Sequence, residues 1–233
     1  MRGQRLPAAV FVVGTDTGVG KTLVAAALLH RLASQHARVV GMKPVAAGAV
    51  RDGDGWVSED AQALRAASTL RVPATLDNPV LLPDALSPHL AAQRAGRRIE
   101  LAPLVAAFRA LQQQADAVVV EGAGGFLVPL NDELTGADLA QALDLPLLLV
   151  VGLRLGCLNH ALLTAEAIGR RGLRLAGWVA NRIAPAMVAV DDNIAYLQHR
   201  LRRDLQASLW ADIPFGCTDP RAVRWDDLAG AAA

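Results

Sequence analysis

A doubly wound α/β fold is predicted, with a mainly parallel sheet and helices on both of its faces in a single domain spanning residues 1–233. Three observations lead there. Short, almost uninterrupted apolar runs recur at Ala8–Val13, Val39–Val45, Ala117–Val120, Leu145–Val151 and Leu175–Ala180. Continuous rather than alternating apolarity suits parallel strands covered on both faces. Segments with apolar residues at helical spacing lie between these runs, so strand and helix alternate and the crossovers are expected to be right-handed. A chain of 233 residues is also long enough for one substantial core.

The helical segments follow in order. In Thr22–Leu32, Val24, Leu28 and Leu32 share a face, and in Leu101–Gln114 the face is Leu104, Val105, Phe108 and Leu111. Asn159–Arg171 and Asp192–Leu209 behave alike, the second through Ile194, Leu197, Leu201 and Leu205, with Arg200, Arg202 and Arg203 on its solvated face. Gly48–Gly55 is Gly- and Asp-rich and reads as a loop. Leu70–Arg97 holds four prolines and little periodicity, and is too long for a simple connector, so it reads as an irregular or functional excursion. The Ala-Gly-Ala-Ala-Ala tail, residues 229–233, is expected to fray.

Lys and Arg number 23 against 22 Asp and Glu, a net charge of +1, which provides no electrostatic case for nucleic acid or an anionic membrane. No apolar run approaches the roughly 20 residues that span a bilayer. Met1–Pro7 does not read as a signal peptide. Cys157 and Cys217 make neither a disulfide framework nor a Cys-rich metal site, and a reducing, cytoplasmic setting is the expectation.

The chain is organised around Gly14-Thr15-Asp16-Thr17-Gly18-Val19-Gly20-Lys21-Thr22, with a strand leading in and a helix leading out. That is the layout of a phosphate-binding P-loop. Glycines let backbone N–H groups curl around phosphate oxygens, and the helix N-terminus adds its positive end. Lys21 can reach the outer phosphates, and the Thr22 hydroxyl can ligate Mg²⁺. The spacing departs from the usual one: five residues separate Gly14 from Gly20, and Thr15 holds the place of the first glycine. A Gly-rich turn that merely joins strand to helix is the competing reading.

In an open α/β sheet, ligands bind at the carboxyl ends of strands, and residues with chemical potential follow each one. Lys43, in Met42-Lys43-Pro44-Val45-Ala46-Ala47-Gly48, is either a second cation for a reacting anion or a surface lysine. Glu121 ends four apolar residues and precedes Gly122-Ala123-Gly124-Gly125; it is either a metal-side carboxylate or a strand-end acid before a turn. Asp60 opens a helix-like stretch, where acids are favoured in any case. Gly156-Cys157-Leu158-Asn159 opens another helix, whose free N–H groups can bind a carboxylate. Cys157 as a nucleophile lacks an evident base, and His160 reads as a packed or surface residue. Asn181 is either a reader of a base edge or a turn asparagine.

Together these stretches resemble the dethiobiotin synthetase family, within the P-loop NTPase superfamily. The pieces are residues 14–22, Lys-Pro-Val-Ala at 43–46, Asp60 with Ala61, Val-Glu-Gly-Ala-Gly-Gly at 120–125, and Val-Val-Gly-Leu-Arg-Leu-Gly-Cys-Leu-Asn-His-Ala at 150–161. Leu-Ala-Gly-Trp-Val-Ala-Asn at 175–181 and Ile213-Pro214 complete them, so the likeness covers nearly the whole chain. It implies an ATP-dependent cyclo-ligase that takes 7,8-diaminononanoate, CO₂ and MgATP. An amine captures CO₂ as a carbamate, the carbamate attacks the γ-phosphate to give a carbamic–phosphoric anhydride, and the second amine closes a cyclic urea. ATP would be held by Thr17, Gly18, Val19, Gly20, Lys21, Thr22, Leu23, Asp60, Glu121, Gly122, Ala123 and Gly124, with the base at Asn181, Arg182, Pro214, Phe215 and Gly216. Mg²⁺ would sit on Thr22, Asp60 and Glu121. Lys43 and Lys21 would be catalytic. Lys43, Ala47, Gly156, Cys157, Leu158 and Asn159 would bind substrate, the helix start serving the partner subunit of a homodimer.

Three positions depart from the family pattern: Ala47 replaces a serine, Arg154 a lysine, and Arg221 lies in the region of a nucleotide-side glutamate. Two rivals are weaker. Amidoligases usually carry a glutaminase domain for which this chain has no length. A MinD- or ParA-like ATPase switch carries an extra lysine early in the P-loop, where this chain has Thr15, Asp16 and Thr17.

Overall fold

The computed structural model describes residues 7–53 and 55–226; the tail expected to fray lies outside them. At its centre is a six-stranded, all-parallel sheet in the order β10-β9-β8-β1-β7-β2. These strands are β1 (Ala9–Gly14), β2 (Val39–Met42), β7 (Ala117–Glu121), β8 (Leu147–Leu153), β9 (Leu175–Arg182) and β10 (Ser208–Ile213). The chain leaves β1 for the β2 edge, returns through β7, then crosses to β8 on β1's other side. β1 therefore sits at the switch point, and the loop after it opens into the crevice where ligands of such sheets bind.

Helices cover both faces. α1 (Lys21–Ala33) and α2 (Glu59–Ala67) pack on the side of Val10, Val12, Val119, Leu148 and Val150. α5 (Leu101–Gln114), α6 (Gly136–Leu143), α7 (Cys157–Arg170) and α8 (Val190–Leu205) cover Phe11, Val13, Val118, Val120, Leu147 and Leu149. Successive strand residues face opposite ways, so two buried faces require apolar residues at every position, which explains the continuous runs.

Several boundaries differ from the sequence reading. The run Val39–Val45 is two strands, because the chain turns at Lys43-Pro44 into β3 (Val45–Ala47). Gly48–Gly55 belongs to a hairpin of β4 (Val50–Asp52) and β5 (Gly55–Val57), with Arg51 over the Trp56 ring at 4.5 Å. The excursion holds α3 (Ala74–Asp77), β6 (Val80–Leu82) and α4 (Pro88–Arg94), and β6 pairs in parallel with β3. The helix expected to run to Leu209 stops at Leu205, where Gln206 takes a left-handed conformation with φ 56°, and β10 follows. α6 is a further helix, its start marked by a capping box of Thr135 and Asp138. No helix among the described residues is long and apolar enough to cross a membrane.

Packing between β9 and β10 depends on a missing side chain. A Cβ on Gly177 would fall on the indole of the buried Trp210. Gly177→Ala should destabilise the protein by about 1–3 kcal/mol through overpacking, seen as a lower denaturation midpoint with unchanged m-value; an unchanged midpoint would show that the indole can move aside.

Candidate functional site

The residues singled out in four separate stretches meet above the carboxyl ends of β1, β2 and β7. After β1, Gly18 and Gly20 adopt left-handed φ of 72° and 92°, and α1 starts at Lys21. Lys21 Nζ donates to the Asp16 carbonyl at 2.9 Å, across the loop. The glycines after β7 come close to it: the Phe126 N–H donates to the Gly14 carbonyl at 3.1 Å, and a Cβ on Gly125 would lie 3.4 Å from the Thr15 carbonyl oxygen. Gly152, at the end of β8, leaves room for Val19. The loop is thus held from both neighbouring strands.

Lys43 is no surface lysine. It is 4% exposed, and its ammonium donates to Glu121 Oε1 at 2.6 Å, pairs with Asp60 Oδ2 at 2.7 Å and reaches the Gly122 carbonyl at 3.2 Å. Thr22 Oγ1 lies 2.9 Å from both Asp60 Oδ1 and Glu121 Oε1. Two cations, two carboxylates and one hydroxyl therefore form one cluster. Burial works to lower the Lys43 pKa, but Glu121 and Asp60 more than offset it and the net shift is upward, so Lys43 stays charged. Asp60 is also resisted by burial, yet Lys43 and Thr22 hold it below the usual carboxylate range. Burial pushes Glu121 up, despite Lys43. For Lys21 the balance goes the other way: burial, then the neighbouring Lys43, outweigh the opposing pull of Glu121, Asp60 and Asp16 and lower its pKa to about 8. These are the chain's only two lysines, every other basic side chain being arginine or histidine.

The donor set fits Mg²⁺. Thr22, Asp60 and Glu121 offer hard oxygen atoms, and Glu121 Oε2 is buried without a hydrogen-bond partner. Two carboxylates and a hydroxyl leave room for water and phosphate oxygens, which Mg²⁺ keeps.

The excursion supplies what sequence reasoning missed. The Lys43 N–H donates to the Asp77 carbonyl at 2.7 Å, and Asn78 Nδ2 donates to the Lys43 carbonyl at 2.7 Å. Asp77 is itself pinned by a two-pronged pair with Arg65 of α2, both contacts at 2.6 Å. The Asn78-Pro79 turn was the available signal, but nothing in its spacing shows that it reaches back to Lys43.

A cleft of about 900 Å³ opens beside the cluster. Lys43, Asp60, Thr15 and Thr17 line it, together with Ala47, Ala85, Ser87, Leu127 and Leu163. Ala47 presents only a methyl group where a hydroxyl was noted as missing. A second cleft, about 420 Å³, lies between Ala184–Val190 and Pro214-Phe215, with Arg182 and Asp212 in its wall. The Arg182 guanidinium is held by Asp212 at 2.9 and 2.6 Å and by Asp191 at 2.6 Å. Asn181 points elsewhere: it is buried against Gly20 and donates to the Val19 carbonyl at 2.9 Å, bracing the P-loop from β9.

The start of α7 lies apart from the cluster. Gly156 caps it with φ 94°, the Cys157 side chain is buried in the core, and the Cys157 N–H is taken by the Arg154 carbonyl at 2.9 Å. Cys157 can thus meet a ligand neither as a nucleophile nor through its side chain. Leu158 and Asn159 hold first-turn positions, whose N–H groups lack intrahelical partners. Arg154 pairs with Asp16 of the P-loop at 2.6 Å. Arg221 sits on the turn Pro220–Ala222 against α1.

Residues 8–214 match the AAA domain family. ATP-dependent dethiobiotin synthetase BioD of Ralstonia nicotianae is 53% identical over 216 residues, covering 93% of this chain and 90% of that protein. The protein of the same name from Aromatoleum aromaticum is 51% identical over 208 residues, covering 89% and 91%. Among solved structures, the MinC:MinD cell division protein complex of Aquifex aeolicus aligns with a TM-score of 0.50 at 17% identity, over 88% of this chain and 81% of that one, a likeness of fold alone.

The lowered Lys21 pKa sets a pH dependence. A group with pKa about 8 loses its charge as pH rises through 8, so MgATP, measured without other substrates, should bind about tenfold more weakly at pH 9 than at pH 7. Lys21→Arg, which does not titrate, should flatten that profile. Equal affinities for the parent protein at both pH values would mean Lys21 is not the cation that meets phosphate.

Proposed function

This chain belongs to the family of ATP-dependent dethiobiotin synthetases and is an ATP-dependent ligase; from that premise we propose that it closes 7,8-diaminononanoate and CO₂ into a cyclic urea through a carbamate and a carbamic–phosphoric anhydride. One observation carries the reading: a buried lysine, two carboxylates and a P-loop threonine converge beside a cleft that also has apolar side chains in its wall. Transfer of a phosphoryl group to an anionic carbamate is a problem of charge and position, and this cluster holds two ammonium groups in a fixed geometry. Leu127 and Leu163 suit the methylene chain of a nine-carbon substrate.

In this reading the loop amides and Lys21 hold the outer phosphates, and Thr22, Asp60 and Glu121 hold Mg²⁺. The metal ion offsets phosphate charge when bound. Lys43 orients the carbamate and stabilises charge on the transferring group. Its three N–H groups are directed at Asp60, Glu121 and the Gly122 carbonyl; to meet the carbamate it must release one, and Asp60, whose side chain is the half-exposed partner, is the one free to yield. The second cleft takes the base, between Pro214-Phe215 and the Arg182 wall, with Asn181 acting mainly as a brace for the phosphate loop. A homodimer places Leu158 and Asn159 of one subunit at the carboxylate of substrate held by the other. Leu155, 97% exposed immediately before that helix, supports burial of this edge in a partner.

The test is phosphate release with MgATP while 7,8-diaminononanoate or bicarbonate is withheld in turn. Release should require both and yield dethiobiotin by mass. Lys43→Gln should lower kcat by about 10²–10³ while MgATP affinity stays within a few-fold. Release indifferent to both omissions would instead identify an ATPase switch of the MinD kind.

A further inference from the structure

We propose that Ser87 and His89 form the proton-accepting pair for the amine that closes the ring, Ser87 meeting the substrate and His89 acting through it; the inference rests on the ligase reading above. The segment that carries them is fastened to the site. β6 pairs with β3, the strand that leaves Lys43-Pro44, and beyond it the Gly48 N–H donates to the Asp84 carbonyl at 2.9 Å. This brings Ser87 into the wall of the same cleft as Lys43 and Asp60.

Ser87 is unusual for its position. It is the N-cap of α4, where a serine hydroxyl normally accepts from a backbone N–H of the first turn, but it makes no such bond. Its Oγ instead lies 2.9 Å from His89 Nδ1. The pairing forgoes the usual stabilising cap, so local helix stability does not account for it. His89 is fixed in turn by its N–H, which donates to the Pro129 carbonyl at 3.3 Å.

The chemistry needs such a group. When the second amine attacks the carbonyl carbon of the anhydride, a C–N bond forms, the C–O bond to the phosphoryl group breaks, and phosphate leaves with the electron pair. The attacking nitrogen becomes cationic and must lose one proton. With the imidazole neutral and protonated at Nε2, Ser87 Oγ–H donates to Nδ1 and directs a lone pair at the amine. The amine proton passes to Oγ as the hydroxyl proton passes to Nδ1, leaving an imidazolium that later returns its proton to water. A hydroxyl backed by imidazole is the usual arrangement for moving one proton at a fixed place.

The readout is the ratio of ADP formed to dethiobiotin formed, in the intact protein with all substrates. Without an acceptor the anhydride still forms but is lost to water, so Ser87→Ala and His89→Gln should raise the ratio severalfold above the parent's value near one, with MgATP affinity unchanged. Ser87→Thr, which keeps the hydroxyl, should restore coupling. A purely structural role would lower both products together; equal amounts of ADP and dethiobiotin from both variants, at any rate, would overturn the proposal. Failure of the parent protein to make dethiobiotin would overturn the ligase reading itself, and this inference with it.

Discussion

The structure depends on one buried ammonium. Lys43 has almost no access to water, and a charge so placed survives only if paired and hydrogen-bonded. Its partners come from widely separated parts of the chain: Asp60 from α2, Glu121 and the Gly122 carbonyl from the end of β7. Thr22 of α1 joins through both carboxylates. Each strand end and helix start is therefore constrained by the need to keep this group satisfied. With Lys21 included, two positive and two negative groups share the cluster. A nucleotide thus meets a site that is polar and preorganised but carries little net charge.

The sheet makes that convergence possible. In a parallel sheet every carboxyl end lies on the same edge, and β1 at the switch point puts the P-loop between the ends of β7 and β8. The glycines follow from crowding. Gly20 lies where any side chain would strike the Asn181 amide, and Gly152 where one would strike Val19. These contacts hold the loop from the β8 and β9 side, and the Phe126 N–H on the Gly14 carbonyl holds it from the other.

The sheet strands buried on both faces were legible because continuous apolarity leaves little else for Val118-Val119-Val120 or Leu147-Leu148-Leu149 to be. β10 was not, because an edge strand tolerates Ser208 and Asp212, and because the helix before it ends on Gln206 in a left-handed conformation, without the glycine that would mark a stop. In the site, Gly-Lys-Thr and the strand-end Glu121 could be read locally, since their spacing carries their chemistry. Lys43 was ambiguous because burial comes from tertiary neighbours. Asp77 and Asn78 were invisible for the same reason: their part is played by a backbone carbonyl and an amide reaching some 35 residues back along the chain. Asn181 shows a role that its position alone does not reveal, since an amide at a strand end can brace a loop through Nδ2.

The excursion from Leu70 to Arg97 thus has two attachments to one place. Through Asp77 and Asn78 it holds the backbone of Lys43 on both sides, and through β6 it holds β3, whose last residue is Ala47. Its next residues form the cleft wall at Ala85 and Ser87. The cleft wall and the strand end that presents the ammonium are consequently parts of one body. Ala47 and Ser87 line the same cleft, so its wall has a hydroxyl although β3 supplies none. A displacement of the cleft wall at Ser87 would be felt at Lys43 through two short hydrogen bonds and one strand pairing, which is a physical reason for so irregular a segment to be built into the domain rather than trimmed to a turn.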